Sequence, residues 1–190
     1  MDAERDSRMK RHISKIFAFA VLTAGFLLQA ACSSSTGLPK VLASAPLSMD
    51  KAGVSTSIDF TVSEATVATK HRLMVALDFP QTKSMKLENA MQQEDMPVAL
   101  EVVYVTDGNT TPIPTQDDKG VSTRTWKTGS GVANLHLYAT NGDTSYVLIA
   151  GFYPTKPGSY RATVKTVKDQ PLFSGVNGVV KVQPFYNTGE

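Results

Sequence analysis

From residue 55 onward the apolar side chains recur at every second position, in one segment after another. Thr56, Ile58, Phe60 and Val62 fall on one side of their segment, with Ser57, Asp59, Thr61 and Ser63 on the other. Leu73, Val75, Leu77 and Phe79 alternate with Arg72, Met74, Ala76 and Asp78. Val98, Leu100, Val102 and Tyr104 repeat the pattern, as do Tyr160, Ala162 and Val164, and a valine-rich run from Val176 to Phe185 closes the set. Successive side chains of an extended chain point to opposite faces, so this period predicts half-buried strands with one wet face. On that pattern Asp78 and Glu101 belong to wet faces. About seven to eight strands within about 140 residues, mostly joined by turns, predict an all-β sandwich of two packed antiparallel sheets. A body of that size buries enough surface to need no disulfide.

Turn chemistry refines the picture. Asn141-Gly142 sits between two strand-like runs and predicts a two-residue type I′ hairpin, since both residues tolerate positive φ. That turn sets Leu137 opposite Tyr146 and Leu135 opposite Leu148 as a core face. His136 and Tyr138 then share the other face with Val147 and Ile149. Asp107-Gly108-Asn109 and the stretch from Thr115 to Gly120 read as exposed turns. Lys83 to Gln93 spaces Leu87, Ala90 and Met91 as a helix would, but is poorly capped, and reads equally as a helical turn or a short helix.

The first 31 residues follow a different logic. From Met9 the chain begins Met-Lys-Arg-His-Ile-Ser-Lys, and Ile16 to Leu28 is uncharged and mostly apolar. That run is shorter than the ~20 residues a permanent span requires and fits the apolar region of a signal peptide, residues 1–31, with Met9 as its start. Leu28-Gln29-Ala30-Ala31-Cys32 resembles the lipobox, where bacteria attach diacylglycerol to a cysteine and cleave before it; Gln29 departs from its usual apolar residue. Cys32, the one cysteine, has no intramolecular disulfide partner, which agrees with lipid attachment. Two or more acyl chains make such an anchor stable. Ser33 after the cysteine is compatible with outer-membrane sorting. Residues 32–46 read as a flexible tether and 47–187 as the sandwich.

From Cys32 to the end the chain carries fourteen Lys+Arg and fourteen Asp+Glu, so the +2 of the whole sequence comes from the leader. No basic stripe remains for nucleic acid. His71 and His136 stand apart, without His or Cys at ligand spacing, and no phosphate loop or nucleophile motif occurs; the sequence points to no metal and no cofactor. Asp117-Asp118 and Asp143 read as solvated turn residues. The sequence therefore predicts no enzyme. Two surfaces are candidates for binding: the hairpin face with His136 and Tyr138, and the segment around Trp126, flanked by Arg124 and Lys127. Both have bland alternatives, since Trp126 equally suits the sandwich core and the hairpin face can lie beneath a loop.

Pro154-Thr-Lys-Pro-Gly158-Ser-Tyr160-Arg-Ala-Thr-Val164 resembles the proline-glycine-x-tyrosine entry to a late strand of immunoglobulin-like sandwiches. The tyrosine there enters the core and its hydroxyl reaches nearby backbone. Leu47-Ser-Met-Asp-Lys-Ala-Gly53, Met96-Pro-Val-Ala-Leu-Glu-Val102 and Pro171-Leu-Phe-Ser-Gly175-Val accompany it in order. Together they resemble a family of proteobacterial lipoproteins with a domain of unknown function, over roughly Leu47 to Asn187. The resemblance implies a lipoprotein leader and an all-β domain, with no activity or functional residues to carry over. The resulting expectation is a membrane-anchored periplasmic module that binds another protein. An immunity or inhibitor role against an envelope-targeting toxin is its most concrete form. An envelope-assembly or structural lipoprotein and a small-ligand or glycan binder are the rivals.

Overall fold

The computed structural model of the chain describes residues 40–116 and 131–185. The alternating segments form strands: β1 (Ala43–Leu47), β2 (Ser55–Val62), β3 (Leu73–Pro80), β4 (Pro97–Thr106), β9 (Thr144–Phe152), β10 (Gly158–Thr166) and β11 (Gly178–Pro184). Between them lie β5 (Asn109–Pro112), β6 (Thr115–Gln116), β7 (Gly131–Asn134) and β8 (His136–Asn141). Helices α1 (Glu64–Ala68) and α2 (Lys86–Gln93) and a 3-10 turn at Pro171–Phe173 complete the described elements. The first sheet runs β1-β11-β3-β9, with β6 and β8 sharing the far side of β9. The second runs β2-β10-β4, with β5 and β7 sharing the far side of β4. Every pairing is antiparallel.

The fold is thus the antiparallel all-β sandwich that the period-two pattern predicts. The eleven strands among the described residues exceed the expected number because β5, β6 and β7, of four, two and four residues, are too short to show a period. The connections also differ from expectation. Among the described residues only β4–β5 and β8–β9 are hairpins within a sheet, and all other successive described strands lie in opposite layers. Residues at the end of the expected tether are ordered into the body: Ala43–Leu47 pairs with β11, and the Leu42 N–H bonds to the Val182 carbonyl. Pro46 is tolerated there because β1 is an edge strand.

Both layers turn apolar residues inward. Ile58, Phe60 and Val62 of β2, alternate residues of β3 from Leu73 to Phe79, and Tyr160, Ala162 and Val164 of β10 are buried, as expected. Tyr160 stacks on Phe60 at 5.6 Å and meets the edge of Tyr104 at 5.1 Å. Burying each such ring stabilises the fold by about 1.5–3 kcal/mol. The Tyr160 hydroxyl donates to the Lys156 carbonyl at 2.7 Å and accepts from the Lys156 N–H at 3.2 Å. That is the corner the Pro-Gly-x-Tyr motif predicts. Gly158 (φ +132°) belongs to the same corner, and a Cβ there would press on the Tyr104 ring at 3.0 Å.

Lys86–Gln93 is a true helix, burying Leu87, Ala90 and Met91. Its first turn is fastened without a side-chain cap. Met85 at the N-cap position has φ +53° and makes no side-chain cap bond. Glu88 reaches back instead, accepting from the Thr82 N–H at 2.8 Å and the Thr82 hydroxyl at 2.5 Å.

Candidate functional site

The hairpin face expected to bind a partner is the outer face of the first sheet, but its composition differs from expectation. Asn141 pairs with Thr144, so the two turn residues are Gly142 and Asp143. Of these two, only Gly142 (φ +58°) has positive φ. That is the type II′ pattern, with glycine first, in place of type I′ at Asn141-Gly142. The type I′ pattern occurs at Asp107-Gly108, both with positive φ, between Thr106 and its partner Asn109.

A slip of one residue moves side chains to the opposite face of a strand. Leu137 therefore faces Val147, and His136 faces Leu148. Val147 and Ile149, expected beside His136 and Tyr138, are in the core; Leu148, expected in the core, lies outside it with Met74 and Ala76. Two irregularities shape this region, one in β8 between Leu137 and Ala139 and one opposite Val75 and Ala76 of β3. The first places Tyr138 over the Met74–Ala76–Leu148 layer.

Four strands build the face. Met74, Ala76 and Leu148 are nearly inaccessible beneath the partly exposed Tyr138 and Phe185, whose rings lie 6.3 Å apart. The Arg72 guanidinium sits over the Phe185 ring at 4.7 Å and donates to the Gln116 carbonyl at 2.9 Å. Gly151 leaves room for it, because a Cβ there would fall 2.0 Å from Arg72 Nε. The Phe185 N–H bonds to the Arg72 carbonyl, which anchors the ring at the end of β11. Next to this group Lys181 pairs with Asp78 and lies 5.0 Å from the Tyr146 ring centre. Burial pushes the Asp78 carboxyl above its ordinary range, and the hydrogen bond and charge of Lys181 pull against that rise. Asp78 is therefore no wet-face carboxylate: its Oδ1 is buried without a hydrogen-bond partner.

His136 is exposed at the start of β8, two residues from Tyr138 on the same sheet. The structure thus brings these two predicted residues together. Trp126 and Cys32 lie outside the described residues, as do the leader and residues 117–130. Thr115, expected in an exposed turn, is fully buried opposite Phe152. Arg72, Phe185, Asp78 and Lys181 were missed by sequence reasoning. One local signal did exist: Leu73 to Leu77 is apolar at consecutive positions, the mark of a strand covered on both faces.

Elsewhere a shallow groove of about 340 Å³ is lined by Asp59, Phe60, Thr61, Val105, Ser159, Tyr160 and Arg161. Its two charges satisfy each other, with Arg161 Nε donating to Asp59 at 2.7 Å. That bond holds the exposed Asp59 carboxyl below its usual range. Among the described residues no group of three His, Cys, Asp or Glu could hold a metal, and no helix is long and apolar enough to cross a membrane.

The sandwich is similar to a crystal structure of a protein from Sulfurospirillum deleyianum, with a TM-score of 0.52 over 79% of this chain and all of that one. The two sequences are 8% identical. This likeness shows the fold alone. No protein-family model and no curated protein matches the sequence. The chemistry of the sandwich therefore rests on its own residues. What the outer face offers is an aromatic pair, an arginine stacked on it, and a half-buried ion pair.

Proposed function

We propose that this chain is a lipid-anchored protein of the bacterial envelope whose sandwich binds another protein through the outer face of its first sheet, without catalysis. The anchor reading rests on the basic start at Met9, the apolar run to Leu28 and the lipobox-like Leu28–Cys32. The observation that carries the binding reading is the assembly of Tyr138, Phe185 and Arg72 over a buried layer. Aromatic and arginine side chains dominate contact hot spots, and rings already held by packing lose little entropy when a partner seats on them. His136 and the Lys181–Asp78 pair supply a polar rim. An immunity or inhibitor protein against an envelope-targeting toxin is its most concrete form, by analogy with small envelope lipoproteins of similar size and layout that play that role.

Two measurements test it. Replacing Cys32 by serine abolishes incorporation of labelled palmitate and releases the protein from membranes; unchanged labelling and sedimentation refute the anchor. Affinity capture with the wild-type protein recovers a toxin that Tyr138→Ala/Phe185→Ala fails to recover, and loss of the gene sensitises cells to that toxin. Capture insensitive to the double substitution refutes the face. Capture of outer-membrane or peptidoglycan-associated proteins alone points to envelope assembly instead.

A further inference from the structure

Every sheet ends in strands whose outer N–H and C=O groups lack a ladder partner, and folded proteins protect such edges with prolines, bulges, charges or brevity. Most edges here carry one of these devices. Strand β1 contains Pro46, β5 ends in Pro112, β8 is interrupted after Leu137, and β6 and β7 span two and four residues. Strand β2 has none of them. It runs eight residues, Ser-Thr-Ser-Ile-Asp-Phe-Thr-Val, without proline, glycine or irregularity, and among the described residues pairs with β10 on one side only. Its one charge, Asp59, is drawn along the sheet to Arg161 on β10, away from the free edge.

The direction of the unpaired groups follows from the ladder. The Thr166 N–H donates to the Val54 carbonyl at 2.9 Å, and the β10–β2 register continues from there as Lys165–Ser55 and Val164–Thr56. In an antiparallel ladder alternate residues turn both their backbone groups to the same neighbour. Thr56, Ile58, Phe60 and Val62 therefore bond to β10. Ser55, Ser57, Asp59 and Thr61 aim theirs outward.

We propose that this edge is a homodimer interface, in which β2 of two copies pair antiparallel about a two-fold axis and join the second sheets into one. Side-chain faces must match across the pair, so facing residues share parity and the axis passes through a residue position. Centring on Asp59 sets two carboxylates face to face and is disfavoured. Centring on Ile58 sets Ser57 opposite Asp59 and Ser55 opposite Thr61, with no like charges and nearly full overlap. That register closes about eight backbone hydrogen bonds from the outward groups of both copies. The same patch serves both partners, as a two-fold interface requires. Little apolar area is added, because Ile58 and Phe60 are already buried in their own sandwich, so the association is reversible.

The test is sedimentation velocity of the full chain in detergent, with amide hydrogen exchange at low and high protein concentration. A reversible dimer is expected, in which the amides of Ser57, Asp59 and Thr61 gain protection as concentration rises. Thr61→Pro removes an outward N–H and no internal ladder bond, so dimer affinity drops roughly tenfold or more while the melting temperature holds. If that variant fails to fold, the wild-type exchange pattern decides alone. A chain that stays monomeric throughout overturns the proposal. So does a dimer in which these three amides gain no protection, or one that Thr61→Pro leaves intact. The toxin-capture experiment is independent of this result, since it reads the opposite sheet.

Discussion

Two carboxyl groups show how differently the same chemistry behaves in one sandwich. Glu88 is 1% exposed, and three donors satisfy it: the Thr82 N–H, the Thr82 hydroxyl and the Ser145 hydroxyl. Burial raises its affinity for a proton, but those bonds outweigh burial and hold the carboxyl below its ordinary range. A folded value below the unfolded one means stability that is full above the unfolded value and is lost as pH falls through the folded one. Asp78 has the opposite sign. Its raised folded value is a penalty on the ionised form, fully present above that value and relieved as pH falls through it. Glu88→Gln is therefore expected to flatten the acid limb of a stability–pH profile measured by urea unfolding. Glu88→Ala, which strands the buried Ser145 hydroxyl and the two partly buried Thr82 donors, is expected to cost about 2–4 kcal/mol at neutral pH. Asp78→Asn leaves the nearly buried Lys181 without its counter-charge and is expected to cost about 2–3 kcal/mol. Asp78→Asn/Lys181→Met recovers most of that, since an isolated buried charge is worse than none. Both are read from urea midpoints.

At the scale of elements, the β8–β9 hairpin is where local signals mislead. Asn-Gly is a strong turn signal, yet Asn141 belongs to the ladder and the turn begins one residue later. Setting Val147 and Ile149 into the core and Ser145 onto Glu88 outweighs the local preference. The turn's placement makes a prediction: Gly142→Ala, forced to positive φ, loses about 1 kcal/mol. Asn141→Ala, an extended strand residue, loses a few tenths at most. Equal losses in thermal unfolding would point to the Asn141-Gly142 turn instead. Helix α2 teaches the converse lesson. It lacks a cap residue at its N-cap position, but Glu88 inside its first turn reaches back to Thr82, where the helix dipole also favours an anion.

For the molecule as a whole, what decides the mechanics is that successive described strands lie in opposite sheets at eight of their ten steps. Neither sheet is a contiguous stretch of chain and each buries its apolar face on the other, so neither is expected to melt alone. Unfolding is expected to be one cooperative transition, with far-ultraviolet and near-ultraviolet circular dichroism coincident in urea. Two separated transitions would show independent layers. The same alternation makes most pairings distant in sequence, and refolding is expected on the millisecond-to-second scale of all-β domains, measured by stopped-flow.

The sequence by itself determined the class of fold and the inward faces of β2, β3, β4 and β10, because a period of two acts within one strand and needs no partner. It also determined the Tyr160 corner, whose hydroxyl bonds only four residues away. Tertiary structure decided the rest. The register of β8 on β9, the second covered face of β3 and the Asp78–Lys181 pair join residues brought together by packing, 103 positions apart in the last case. Local preference is worth tenths of a kilocalorie per residue, whereas burying or exposing one side chain is worth about 1.5–3 kcal/mol. Where the two conflict, as at Asn141-Gly142, the core prevails.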